Sequence, residues 1–192
     1  MSNKSKIQAL EKKIDQLANR ISLQKNKERF LAQKRKTTLG KIFIMAGARK
    51  FFNGESKPFN FVIGLGGLFY IVEMQDRKLS VLLGACHLMF EKFGNDDEMV
   101  KHVSMIGDNF YADYLSEKRL RKEDNKQKEE KLEYPLNFFL GVIVEAKNFL
   151  TSDEKITQCH EIGDRMFNDL KNKKIENYKK TNSRNSNVTI KD

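Results

Sequence analysis

One segment of this chain occurs twice, and that duplication limits what the chain can fold into more than any other feature. Leu82-Leu83-Gly84-Ala85 opens an apolar run, and Ile106-Gly107-Asp108-Asn109-Phe110 follows about six helical turns later. Phe139-Leu140-Gly141-Val142 opens a second run, followed by Ile162-Gly163-Asp164-Arg165-Met166. Around the glycine-aspartate pair the register holds: Val103, Ile106, Phe110, Asp113 and Tyr114 match Cys159, Ile162, Met166, Asp169 and Leu170. A single gapped residue aligns the Leu-Gly starts as well. Repeated units imply repeated packing solutions. The expected architecture is therefore all-α: a long coiled-coil-like N-terminal helix followed by a bundle of duplicated helical hairpins.

The N-terminal helix is read from Ile7, Leu10, Ile14, Leu17 and Ile21, which step by three and four. This is a heptad seam, and these five residues are the expected oligomerisation contacts. Gln24 and Glu28 hold the next seam positions before Leu31 resumes it. So narrow an apolar stripe pairs with a copy of itself or lies across the body. The first helix is expected over residues 4–36 and a second, more apolar one over 38–52, stopped by Asn53-Gly54. Further helices are expected over 59–74, over 77–93 capped by Asp76, and a fifth capped by Asn95, with Asp96, Asp97 and Glu98 in its first turn. Residues 117–133 mix both charge signs and read as a solvated helix extension or linker. Pro135 starts a helix through 150, and a capping box at Thr151-Ser152-Asp153-Glu154 opens the last one, to about 174. The resulting divisions are 1–37, 38–116, 117–134, 135–174 and a disordered tail from 175.

Composition narrows the partners. The 192 residues carry 36 Lys and Arg against 26 Asp and Glu, a net charge of +10. That balance favours an acidic partner. Two cysteines argue against a disulfide scaffold and for a reducing cytoplasm. The N-terminus shows no signal peptide, and the apolar stretch 59–72 is shorter than the roughly 20 residues of a membrane span, so no membrane insertion is expected.

Few residues invite chemistry. Gly64-Leu65-Gly66-Gly67 lacks both the dinucleotide spacing and the Walker lysine. It reads as glycines that let helices approach closely. Cys86-His87 and Cys159-His160 are adjacent pairs, and neighbours on a helix diverge by about 100°, which suits no single metal. Asp108, Asp113, Asp164 and Asp169 recur in the repeat with no histidine or lysine at matched spacing. No catalytic residue, metal ligand or cofactor is expected. The basic cluster is more telling. Lys25, Lys27, Arg29, Lys34, Arg35, Lys36, Lys41, Arg49 and Lys50 gather between the seam and the second helix, and Lys118, Arg119, Arg121 and Lys122 form a smaller group. Such cations neutralise phosphates and release counterions. Lys34, Arg35, Lys36, Lys41, Arg49 and Lys50 are the expected nucleic-acid contacts, directed at the backbone of DNA and not at its bases. The alternative is a coiled-coil interaction module whose positive charge is incidental.

Gly66-Gly67-Leu68-Phe69, Leu82-Leu83-Gly84-Ala85 and Gly107-Asp108-x-Phe110, taken in order, resemble the small conjugal transfer protein TraD family, the relaxosome accessory type. The resemblance covers residues 1 to 115, and the second repeat echoes it. That family carries an Arg-Thr-Arg run just before its Gly-Gly-Leu helix. Here Lys57-Pro58-Phe59-Asn60-Phe61 stands in that place, and the nearest basic run is Lys34-Arg35-Lys36-Thr37-Thr38. The resemblance implies a cytoplasmic, non-enzymatic helper of DNA processing in plasmid mobilisation or conjugation, with a relaxase or other transfer proteins as partners.

Overall fold

The structure, a computed structural model, describes residues 3–52, 59–120 and 132–186. Among these there are six α-helices, one short 3-10 turn and no strand. Helix α1 (Asn3–Ala46) is continuous, so the break expected between a helix over 4–36 and another over 38–52 does not occur. Nothing between Lys34 and Thr38 interrupts it. Thr37 and Thr38 return their hydroxyls to the carbonyls of Gln33 and Lys34, four residues back, and stay helical. The helix ends at Gly47, whose φ of 148° suits glycine alone. A 3-10 turn (Ala48–Phe51) follows. The stop expected at Asn53-Gly54 is therefore placed too late, and those two residues lie outside the described ones.

Helix α2 (Phe59–Ile71) ends earlier than expected. Met74 N–H donates to Phe69 O at 2.8 Å and Glu73 N–H to Tyr70 O at 3.3 Å, closing the last turn with Glu73 at φ 60°. Helix α3 (Leu79–Phe93) starts after Lys78 without a side-chain cap, so Asp76 does not cap it. Helix α4 (Asp97–Leu120) is capped by Asp96, whose Oδ1 accepts from Glu98 N–H at 2.8 Å. Asn95, the expected cap, instead donates back to Glu91 O. Helices α5 (Leu136–Phe149) and α6 (Asp153–Ser186) complete the chain. Helix α6 runs past 174, and residues 175–186, expected to be disordered, are helical. Of the mixed-charge segment, residues 121–131 lie outside the described ones.

The helices pair in an order that the chain does not announce. The large contacts join α1 to α2, α3 to α6, and α4 to α5. The two helices of each duplicated hairpin hardly touch one another. Instead each lies against a helix of the other hairpin. All three pairs meet in the same way. Gly40 rests on the Val62 carbonyl and Gly66 on the Lys36 carbonyl. Gly84 rests on Cys159 and Gly163 on Ser80; Gly107 rests on Asn137 and Gly141 on Val103. In every case the glycine follows, by four residues, the carbonyl that its own helix presents. A Cβ at any of these six glycines would collide with facing backbone. Without one, two helices cross close enough for Cα–H to contact carbonyl oxygen.

The three crossings show that the duplicated unit has a third copy. Leu39-Gly40 matches Leu83-Gly84 and Leu140-Gly141. Leu65-Gly66, with Val62 before it and Phe69 after it, matches Ile106-Gly107 with Val103 and Phe110, and Ile162-Gly163 with Cys159 and Met166. Only the first copy pairs its own two helices; the other two exchange partners. The copies meet at Phe43, whose ring lies 5.6 Å from Phe69, 5.1 Å from Phe90 and 5.3 Å from Phe139. Leu39, Phe43, Leu65, Phe69, Leu83, Phe139 and Leu140 are fully buried around it.

Candidate nucleic-acid interface

The core begins at Leu39. Every described side chain from Ile7 to Lys34 is exposed, so α1 reaches the core only in its last three turns. Its first 32 residues form a rod of about 48 Å. Residues 3–46 hold twelve Lys and Arg against three Asp and Glu, a net +9 of the chain's +10. Nearly all of the excess charge is therefore on one helix. The seam residues Ile7, Leu10, Ile14, Leu17 and Ile21 are 53–64% exposed. Among the described residues nothing covers them.

The six expected phosphate contacts divide into two kinds. Lys34, Lys41, Arg49 and Lys50 are exposed. Arg35 is half-buried and donates through Nη2 to Gln75 O at 2.6 Å and to Arg77 O at 3.2 Å. It fastens the α2–α3 connection to α1. Lys36 is half-buried as well, with its ammonium 5.3 Å from the centre of the Tyr70 ring. Both side chains are engaged by the body. The run Lys34-Arg35-Lys36 spans the boundary where the rod enters the core, and charge alone does not show that boundary. Of the second basic group, Lys118 is exposed and lies 5.7 Å from the Tyr114 ring, while Arg121 and Lys122 fall outside the described residues.

The residues considered for chemistry hold crossings together. Asp108 Oδ2 accepts from Asn137 Nδ2 at 3.2 Å, beside the Gly107–Asn137 contact. At the matching crossing His160 Nδ1 lies 3.2 Å from Ser80 Oγ and 3.1 Å from Asp164 Oδ2. Ser, His and Asp come together there, but one ring nitrogen serves both partners. A relay needs the carboxylate on one nitrogen and the hydroxyl on the other. Asp113 and Asp169 are exposed. His87 Nδ1–H donates to Ala46 O at 3.1 Å, closing the end of α1. Cys86 and Cys159 are free and buried. Burial pushes the Cys159 thiol up to about 11; burial, and then the neighbouring Cys159, pushes Cys86 up further.

No protein-family model, curated protein or solved structure matches this chain. What it can do therefore rests on its own geometry. Among the described residues no group of three or more His, Cys, Asp or Glu is arranged to hold a metal ion, and no helix is long and apolar enough to cross a membrane. Open grooves of 340, 470 and 570 Å³ lie on the body, each lined by side chains of both charge signs. Among the described residues the longest run of a single sign is on α1; a shorter one, Lys171, Lys173, Lys174, Lys179 and Lys180 with only Glu176 among them, lies exposed on α6.

Proposed function

We propose that this chain is a non-enzymatic accessory protein that binds DNA through its phosphate backbone, using α1 as a cationic arm carried by the six-helix body. The observation that carries this reading is the net +9 on one helix whose described side chains from Ile7 to Lys34 are all exposed. Lys34, Lys41, Arg49 and Lys50 contact phosphates, and Arg35 and Lys36 hold the arm to the body. The seam from Ile7 to Ile21 pairs with a second copy. The resemblance to the small TraD family gives the setting: cytoplasmic DNA processing during mobilisation, with a relaxase or another transfer protein as partner. Electrophoretic shift of duplex fragments at low salt tests the binding, and no shift at any protein concentration retires it. Removal of the gene from a mobilisable element tests the setting, since transfer frequency should fall.

A second reading follows from the exposed seam alone, that of a module which docks on a protein helix. Leu17→Asp separates the two. It abolishes partner capture if the seam is the working surface and leaves DNA binding in place if the cations are.

A further inference from the structure

Counting Ile7 as the first position of a heptad puts Ile7, Ile14 and Ile21 at a, and Leu10, Leu17 and Leu31 at d. In the same count Lys13, Arg20, Lys27, Lys34 and Lys41 all fall at g, seven residues apart, and all five are exposed. On a helix a side chain meets those three and four residues away. For none of the five is any such neighbour Asp or Glu. Among the described residues none of them makes an ion pair. The three carboxylates of α1 lie elsewhere on its circumference, Glu11 at e, Asp15 at b and Glu28 at a. The helix is thus polarised around its axis, with an unneutralised cationic edge on one flank of the seam. That edge extends about 42 Å, with a cation about every 10.5 Å. This is a little longer than one turn of a B-form duplex, about 34 Å.

Self-pairing would not use up this edge. In parallel pairing, Ile at a with Leu at d favours two strands. Each g residue then faces the e residue of the next heptad in the second copy. Lys13 meets Ala18, Arg20 meets Lys25 and Lys27 meets Ala32, and none of these is a carboxylate. Antiparallel pairing would set the two g rows against each other and is disfavoured by like charge. The Arg20–Lys25 approach and Glu28 in the seam confine firm pairing to the Ile7–Ile21 half.

We propose that a nucleic-acid phosphate backbone lies along the g row of α1, from Lys13 to Lys41, beside a seam closed by a second copy in parallel, so that the two surfaces are occupied together. The inference rests on the DNA-binding reading. It moves the centre of the interface from the 34–50 cluster out along the rod, and it makes position on the helix matter as well as net charge.

Two full-length variants with the same change in charge decide it. One removes row cations (Lys13→Gln, Arg20→Gln, Lys27→Gln). The other removes cations that lie off the row and do not face it in the pair (Lys4→Gln, Lys12→Gln, Arg29→Gln). Glutamine keeps helix propensity close to that of lysine and arginine, and circular dichroism verifies the helix. Anisotropy of a labelled 30-base-pair duplex is titrated between 50 and 200 mM salt, and sedimentation reports self-association. The row variant should lose about three units of the slope of log affinity against log salt, and the off-row variant less than one. The row variant should still self-associate. Equal losses in the two variants would overturn the row in favour of net charge alone. A row variant that stops self-associating yet keeps its salt slope would assign the row to protein contact and overturn it as well. Failure of the unmodified chain to bind would overturn both the row and the DNA-binding reading beneath it.

Discussion

Lys34 and Arg35 are neighbours in the chain with opposite duties. Arg35 spends its guanidinium on two backbone carbonyls of the α2–α3 connection. Charged hydrogen bonds of this kind are worth about 1.5–3 kcal/mol, less where solvent reaches them. Arg35→Gln should therefore lower the melting temperature by about 3–6 °C and leave the salt dependence of DNA binding unchanged. Lys34→Gln should do the reverse, and thermal melts beside DNA titrations check both. The cysteines make a separate prediction. An unfolded thiol ionises near 9.0, whereas Cys159 in the folded chain stays protonated to about 11 and Cys86 beyond that. Their contribution to stability is complete below pH 9 and falls as pH rises from 9 toward 11. Urea midpoints at pH 8, 9 and 10 should decline, and Cys159→Ala should flatten the decline. Maleimide should label both thiols slowly in the native protein and rapidly in urea.

At the scale of the helices, the crossings carry the fold. In Gly64-Leu65-Gly66-Gly67 the three glycines are not equivalent. A Cβ at Gly66 meets the Lys36 carbonyl, whereas at Gly64 and Gly67 it meets nothing. Gly64→Ala should stabilise by about 1 kcal/mol through helix propensity. Gly66→Ala and Gly84→Ala should each destabilise by at least 1–3 kcal/mol, because the facing backbone must move. Denaturant midpoints read both signs. Two copies of the unit were legible in the sequence because Leu-Gly and Ile-Gly-Asp recur with their apolar flanks. The third was not. Its first half is the end of a helix dominated upstream by the heptad seam, and Gly67 stands where the other copies have Asp108 and Asp164. Helix existence was legible for the same reason that helix ends were not. Periodicity spans many residues, while an end turns on one, such as Gly47 or Asp96. The exchange of partners was beyond reach, since either pairing buries the same apolar faces.

For the molecule as a whole, charge and core are segregated. Burial starts at Leu39, the described side chains of α1 up to Lys34 are exposed, and that helix holds nearly the entire positive excess. The excess was legible from composition and its clustering from the sequence. Which of its members are free was not, because Arg35 and Lys36 are engaged by residues 34 to 42 positions away. A rod of free cations on a folded body predicts binding that is electrostatic and insensitive to base sequence. Self-repulsion along such a rod is relieved when a polyanion replaces its small counterions. The salt dependence of duplex binding by the unmodified chain tests this most directly. With five row cations engaged, log affinity should fall linearly with log salt at a slope of about −4 to −5. A slope near zero, or no binding at 50 mM salt, would contradict it.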